Sequence, residues 1–260
     1  MSHLIFFDSG VGGLTAFFAA AKMFPYESMI YYGDTLEVPY GPKPDREIIA
    51  LMDQFMKKIL PYEPKAVTLA CNTATVAASG YLRKHYQVPI IGMEPAIKPA
   101  LERLRNPKER VLLFSTETTA RSLKLKKLVK HLRGGHQLII EPLPELVTLA
   151  EEGKFQGPEV EAFLDRTLAA HDLERIRGVV LGCTHFIWYR KLFQERLPEG
   201  THLVDGNAGT LRQLSRKFRP KNRPGTPREL LLHFTGPISP VVPQLIEEHL
   251  GGEGRIVDRL

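Results

Sequence analysis

Cysteine is almost absent, with two in 260 residues. That is too few for a disulfide framework and, without other ligands, too few for a thiolate zinc site. Both thiols are then free to do chemistry, and a reducing, cytoplasmic setting is expected. No uncharged apolar run reaches about 18 residues, so no membrane span is expected. The opening MSHLIFFDSG has neither the basic start nor the long apolar stretch of a secretory signal, and none is expected. Short repeats and low-complexity tracts are missing as well. A composition of 43% apolar and 25% charged residues excludes a disordered chain and supplies a core. At roughly 100–200 residues per domain, the length suggests two domains or one large α/β unit.

The formal net charge of +6 is concentrated in two places. In Arg121–Arg133, Leu125, Leu128, Val129 and Leu132 recur at helical spacing, with Lys124, Lys126, Lys127, Lys130 and Arg133 largely off that stripe. Arg212–Arg228 is basic and broken by Pro220, Pro224 and Pro227. These read as a solvated helix face and an exposed connector. Neither has the aromatic interleaving of a nucleic-acid surface, so nucleic acid is not an expected partner.

Short apolar runs alternate with longer helical patterns, the signature of parallel α/β sheets. Strands are expected at Leu4–Phe7, Met29–Tyr32, Ala66–Ala70, Pro89–Gly92, Val111–Phe114, Gln137–Ile140, Gly178–Leu181, His202–Val204 and Glu229–Phe234. Helices are expected at Leu14–Met23, Arg46–Leu60, Thr75–His85, Pro95–Leu104, Pro158–His171, Tyr189–Arg196, Gly209–Lys217 and Val241–His249, besides the basic one. Two doubly wound units of about 100 residues fit this count, since a βαβ unit needs ~30 residues.

Two strands end alike: Val67-Thr-Leu-Ala-Cys71-Asn-Thr and Val179-Val-Leu-Gly-Cys183-Thr-His. Ligands bind at the carboxyl ends of strands in open α/β sheets, so facing units would bring both thiols into one crevice. A strand-end thiol also meets the positive end of the next helix, which should lower its pKa from about 8.5 toward neutrality. Asp8 ends the first strand in Asp8-Ser9-Gly10-Val-Gly12-Gly13. Ser9 is a candidate cap for the following helix, and the glycines allow close backbone approach to a ligand. The run lacks the Gly-Lys-Ser/Thr ending of a phosphate loop, which argues against a nucleotide site. His185, two residues after Cys183, is placed to tune or reprotonate that thiol. The other eight of the nine histidines show no ligand spacing.

DSGVGGL (Asp8–Leu14), YYGDT with PYGPK (Tyr31–Lys43), ACNTAT (Ala70–Thr75), EPA (Glu94–Ala96) and LGCTH (Leu181–His185) resemble, in order and spacing, the motifs of glutamate racemases in the aspartate/glutamate racemase family. The resemblance runs from residue 5 to about 210. It implies two flavodoxin-like α/β domains, 1–96 completed by 208–260 and 97–207, with the active site in the cleft between them. It also implies racemisation of glutamate without a cofactor or metal, supplying D-glutamate for peptidoglycan, and a homodimer as the assembly. By motif, Cys71 and Cys183 become the acid/base pair on opposite faces of the α-carbon. Asp8 would assist Cys71 and the substrate ammonium, and His185 would assist Cys183. Ser9, Pro39, Tyr40, Gly41, Asn72, Thr73 and Thr184 align with substrate contacts. Thr116 and Thr119 fall in the carboxylate-binding GTxxT stretch, and Glu151 aligns with a glutamate near Cys183. Thiols suit this work because a two-base catalyst needs one thiolate and one thiol at neutral pH. Each pKa unit of mismatch costs about 1.4 kcal/mol.

The chain departs from the family pattern at Ser115, where glycine is usual, and at Leu125, where tyrosine is. Phe186 and Ile187 replace a Tyr-Pro pair, and Glu37 stands where a basic residue commonly precedes PYG. The start on the first strand, without the extension that carries an activator site in some members, makes regulation by a cell-wall precursor less expected. Two rivals follow: a racemase of another acidic amino acid, chiefly aspartate, and a binding protein that kept the fold but not efficient chemistry.

Overall fold

The computed structural model describes residues 2–218, 220 and 227–260. The alternating pattern becomes two sheets whose paired strands all run parallel. The first has six strands in the order β10-β9-β2-β1-β3-β4. These are β1 (Leu4–Asp8), β2 (Met29–Gly33), β3 (Ala66–Leu69), β4 (Ile90–Gly92), β9 (Leu230–Phe234) and β10 (Gly254–Ile256). The second has four, ordered β6-β5-β7-β8. They are β5 (Arg110–Ser115), β6 (Leu138–Pro142), β7 (Ile176–Leu181) and β8 (His202–Asp205).

Strands buried on both faces read as continuous apolar runs, and Leu4–Phe7 shows why. Leu4 and Phe6 pack into the layer of α1 (Leu14–Met23), α10 (Asn207–Ser215) and α11 (Val241–Leu250). Ile5 and Phe7 point the other way, into α2 (Asp45–Ile59) and α3 (Asn72–His85). The second sheet repeats the plan. Leu112 and Phe114 face α7 (Pro144–Glu151), α8 (Pro158–Ala169) and α9 (Arg190–Arg196), while Val111 and Leu113 face α4 (Ile97–Leu101) and Leu125.

Several expectations change. The basic segment Arg121–Arg133 forms the shorter helix α6 (Leu123–His131), parted at extended Ser122 from α5 (Glu117–Arg121), which precedes it. The Ser122 hydroxyl accepts from Leu125 N at 3.1 Å and restarts the helix. Helix α3 begins at Asn72, three residues earlier than its apolar spacing suggests, because Cys71 serves as its cap. Helix α7 went unread because the prolines at 142 and 144 look like breakers, yet Pro144 sits in its first turn, where no N–H is needed. Arg219 and 221–226 of the basic connector lie outside the described residues. No helix among the described residues is long and apolar enough to cross a membrane.

Candidate active site

The carboxyl ends of β1, β3, β5 and β7 meet around a cavity of about 300 Å³. From the first sheet come Ser9, Pro39, Tyr40, Gly41, Pro42, Cys71 and Thr73; from the second come Thr116, Glu117, Pro144, Glu145, Val147, Thr148, Cys183 and His185. The two thiols therefore share one cavity, one from each sheet. Each is 5% exposed.

Cys71 accepts from Ala74 N at 3.4 Å and lies 3.6 Å from the Ser9 hydroxyl. Its expected drop toward a neutral pKa does not occur. Burial, reinforced by the nearby Asp8 charge, outweighs the helix-start hydrogen bond and pushes the Cys71 thiol up to about 12. Ser9 is not the cap of α1, since Gly13 occupies that position. Its hydroxyl faces the cysteine instead.

Asp8 is fully buried behind the cavity. Its carboxylate accepts from Gly10 N at 2.9 Å and from the Thr184 hydroxyl at 3.0 Å, so it spans the two sheets. Burial raises its pKa despite the opposing effect of His185.

His185 is held between two partners. Nδ1 lies 3.6 Å from Cys183 Sγ and Nε2 lies 2.5 Å from Glu151 Oε1. Burial alone would strip the ring of its proton, but the hydrogen bonds to Cys183 and Glu151 prevail and hold its pKa well above the usual histidine value. Glu151 also accepts from Val11 N at 2.9 Å. The glycines of the first motif make room for this arrangement. A Cβ on Gly10 would lie 1.8 Å from Glu151 Oε1, and one on Gly12 would lie 2.6 Å from the His185 amide.

Of the other expected site residues, Thr73 and Thr116 meet across the cavity through their hydroxyls at 2.8 Å. Thr116 caps α5 and donates to the Thr119 hydroxyl at 3.0 Å, which puts Thr119 behind the wall. Tyr40 lines the cavity while its phenol donates to Asp34 at 2.6 Å. The Asn72 side chain turns away and donates to Met93 O at 3.2 Å. Asp8, Asn72, Thr119, Glu151 and Thr184 thus support the wall without lining it.

Most of the unusual residues are absorbed elsewhere. Phe186 is fully buried in the second core, and Ile187 packs against it. Leu125 is buried in the layer under β5. Glu37 accepts from Lys43 Nζ at 2.8 Å, an ion pair at the end of the PYGPK loop. Ser115 ends β5, fully buried, and its hydroxyl donates to Thr116 O at 3.2 Å. The turn forms without glycine because neither Ser115 nor Thr116 needs a positive φ. The sequence reading missed Pro42, Glu117 and the α7 wall of Pro144, Glu145, Val147 and Thr148. A proline followed by glutamate at a helix start was the available signal for α7.

The model of the family described as Asp/Glu/Hydantoin racemase matches residues 24–214. A glutamate racemase of Bifidobacterium adolescentis is 40% identical over 209 residues, covering 80% of this chain and 81% of that protein. Glutamate racemase 2 of Bacillus subtilis is 36% identical over 220 residues, 85% and 83% of the two chains. Among solved structures, the glutamate racemase of Thermus thermophilus in complex with β-chloro-D-alanine aligns with a TM-score of 0.79 and 29% identity over 100% of this chain and 96% of that one. The Escherichia coli glutamate racemase, in complex with L-glutamate and the activator UDP-MurNAc-Ala, aligns with a TM-score of 0.82 and 27% identity over 100% of both chains. With two facing strand-end thiols and likeness along most of its length, the chain belongs to the Asp/Glu/Hydantoin racemase family, a family of isomerases.

Proposed function

We propose that the protein interconverts L- and D-glutamate by proton abstraction and donation at the α-carbon, with Cys71 and Cys183 as the two acid/base residues. The observation that carries this is the pair of cysteines lining one cavity from opposite sheets. A substrate α-carbon between them loses its proton to one sulfur and regains one from the other, with inversion. The two sides are unequal. Cys71 is held as the thiol by burial, which makes it the acid. Cys183 has a protonated His185 beside it, a cation that compensates negative charge on that sulfur when it acts as base. By the family resemblance, that state accepts L-glutamate.

The remaining residues hold the substrate. The amides at the start of α3, with the Thr73 and Thr116 hydroxyls once these turn from their present partners, offer donors to a carboxylate where carbanion charge builds. Asp8, buried behind Cys71, would act on the substrate ammonium by its charge across the wall rather than by contact. Residues 1–96 with 208–260 and residues 97–207 act as the two domains that close on the substrate. Relatives named glutamate racemase at 36–40% identity support glutamate over aspartate. The product would serve peptidoglycan synthesis in the cytoplasm, and a homodimer is the assembly we expect.

Incubating L-glutamate with the protein in D₂O, followed by chiral chromatography and mass spectrometry, tests this reading. D-glutamate carrying α-deuterium is expected. Its absence would overturn the proposal, and faster turnover of aspartate in the same panel would reassign the substrate.

A further inference from the structure

Among the described residues, and besides the Ser239 hydroxyl donating to Glu152 O, four hydrogen-bonded pairs join the first sheet's loops to the second sheet's around the cavity. Three use expected site residues: Thr73 with Thr116, Thr184 with Asp8, and Val11 N with Glu151. The fourth joins one of them, Gly41, to a residue not expected there. Thr118, on α5, donates its hydroxyl to Gly41 O at 2.5 Å, with Lys43 O at 3.5 Å. The Thr118 hydroxyl oxygen in turn accepts from Arg121 Nη2 at 2.9 Å. Thr118 is 1% exposed and does not line the cavity.

We propose that Thr118 is a positioning residue, a latch that holds the Pro39–Lys43 loop against the second unit and so sets how readily the cavity opens. Three observations converge on it. Gly41 and Pro42 line the cavity on one side of this bond, and Glu117 lines it on the other, so the bond lies on the seam of the wall. The loop's other anchors hold it to its own unit: Tyr40 to Asp34, Leu36 N to Thr235, and Lys43 to Glu37. Finally, Arg121 donates a charged N–H to the hydroxyl that in turn donates to Gly41, and such relays strengthen each link. With both thiols nearly buried, a substrate enters only when walls part, and a bond across the seam biases that equilibrium. The inference deepens the racemase reading and its kinetic arm rests on that reading.

The test compares Thr118→Val, which removes the hydroxyl in nearly the same shape, with Thr118→Ser, which keeps it. Iodoacetamide labelling of Cys71 and Cys183 in the ligand-free protein reads opening without turnover. A net hydrogen bond corresponds to roughly fivefold in an equilibrium, so T118V is expected to label about fivefold faster. Its KM for L-glutamate should rise by a similar factor while kcat is held or raised, and T118S should restore both. If T118V does not fold, Arg121→Ala, which weakens the donor but leaves it in place, should move labelling in the same direction by less. Unchanged labelling in a folded T118V, or in R121A where T118V does not fold, overturns the latch whatever the kinetics. A wild-type protein that labels slowly but does not racemise glutamate would sink the proposed function and leave the latch to be judged by labelling alone.

Discussion

Glu151 accepts the Nε2–H of His185 at 2.5 Å, and the opposite ring nitrogen faces Cys183. The hydrogen bonds to Cys183 and to this carboxylate together keep the ring charged where burial would neutralise it. Glu151→Gln should lower the His185 pKa. Activity that needs the imidazolium is lost as pH rises through that pKa, so the alkaline limb of kcat/KM should move to lower pH in E151Q. A charged hydrogen bond contributes about 1.5–3 kcal/mol, so kcat/KM should fall roughly tenfold to a hundredfold. A pH–rate profile of both proteins checks this, and an unmoved limb counts against the role given to Glu151.

Cys71→Ser and Cys183→Ser should each abolish measurable racemisation. Positioned acid/base groups contribute about 10²–10⁴ in rate, and a hydroxyl is far too weak an acid to replace either thiol. Circular dichroism should show both variants folded. Full activity in either would refute the two-base assignment.

The raised Cys71 pKa has a stability consequence. A thiol that titrates at 9.0 when unfolded and at about 12 when folded favours the native state below pH 9, and that contribution is lost as pH climbs toward 12. Three units correspond to about 4 kcal/mol at most. Cys71→Ala should therefore lose less stability between pH 9 and 12 than the parent, by urea unfolding at stepped pH. Parallel curves would mean that the thiol is not held protonated by its surroundings.

Two glycines should respond oppositely to alanine. Gly10→Ala puts a methyl onto Glu151, which must then release His185 or Val11, and activity should fall at least tenfold by analogy with other charged hydrogen bonds. Gly80, inside α3, has open space at the same position. Gly80→Ala should raise stability by about 0.5–1 kcal/mol and leave turnover alone. Steady-state kinetics and thermal melts distinguish the pair.

Periodicity made most strands and long helices legible, because each strand carries apolar residues for two helical layers. The paired Cys71 and Cys183 were legible for a related reason, as both follow an apolar run and a small residue. The pKa of Cys71 was not, because it is decided by burial under the folded chain and by the charge of Asp8, which is distant in sequence. The α7 wall was hidden by its prolines, and the roles of Gly10 and Gly12 depend on side chains some 140 and 170 residues away. The likeness to glutamate racemases pointed to the proposed catalytic set from motifs alone, but it did not reveal Thr118, whose partner is a backbone carbonyl and leaves no mark in the sequence.

Strand β9 pairs with β2 from Met29–Leu230 to Gly33–Phe234, and β10 extends that edge. On a ribosome, the four-stranded sheet has emerged with β8 before β9 exists, so the early-made sheet is finished last. Until then β2 offers an open, apolar border, the kind of edge that recruits other chains. Truncating the chain before Leu230 should therefore yield aggregates, although none of the cavity-lining residues would be missing.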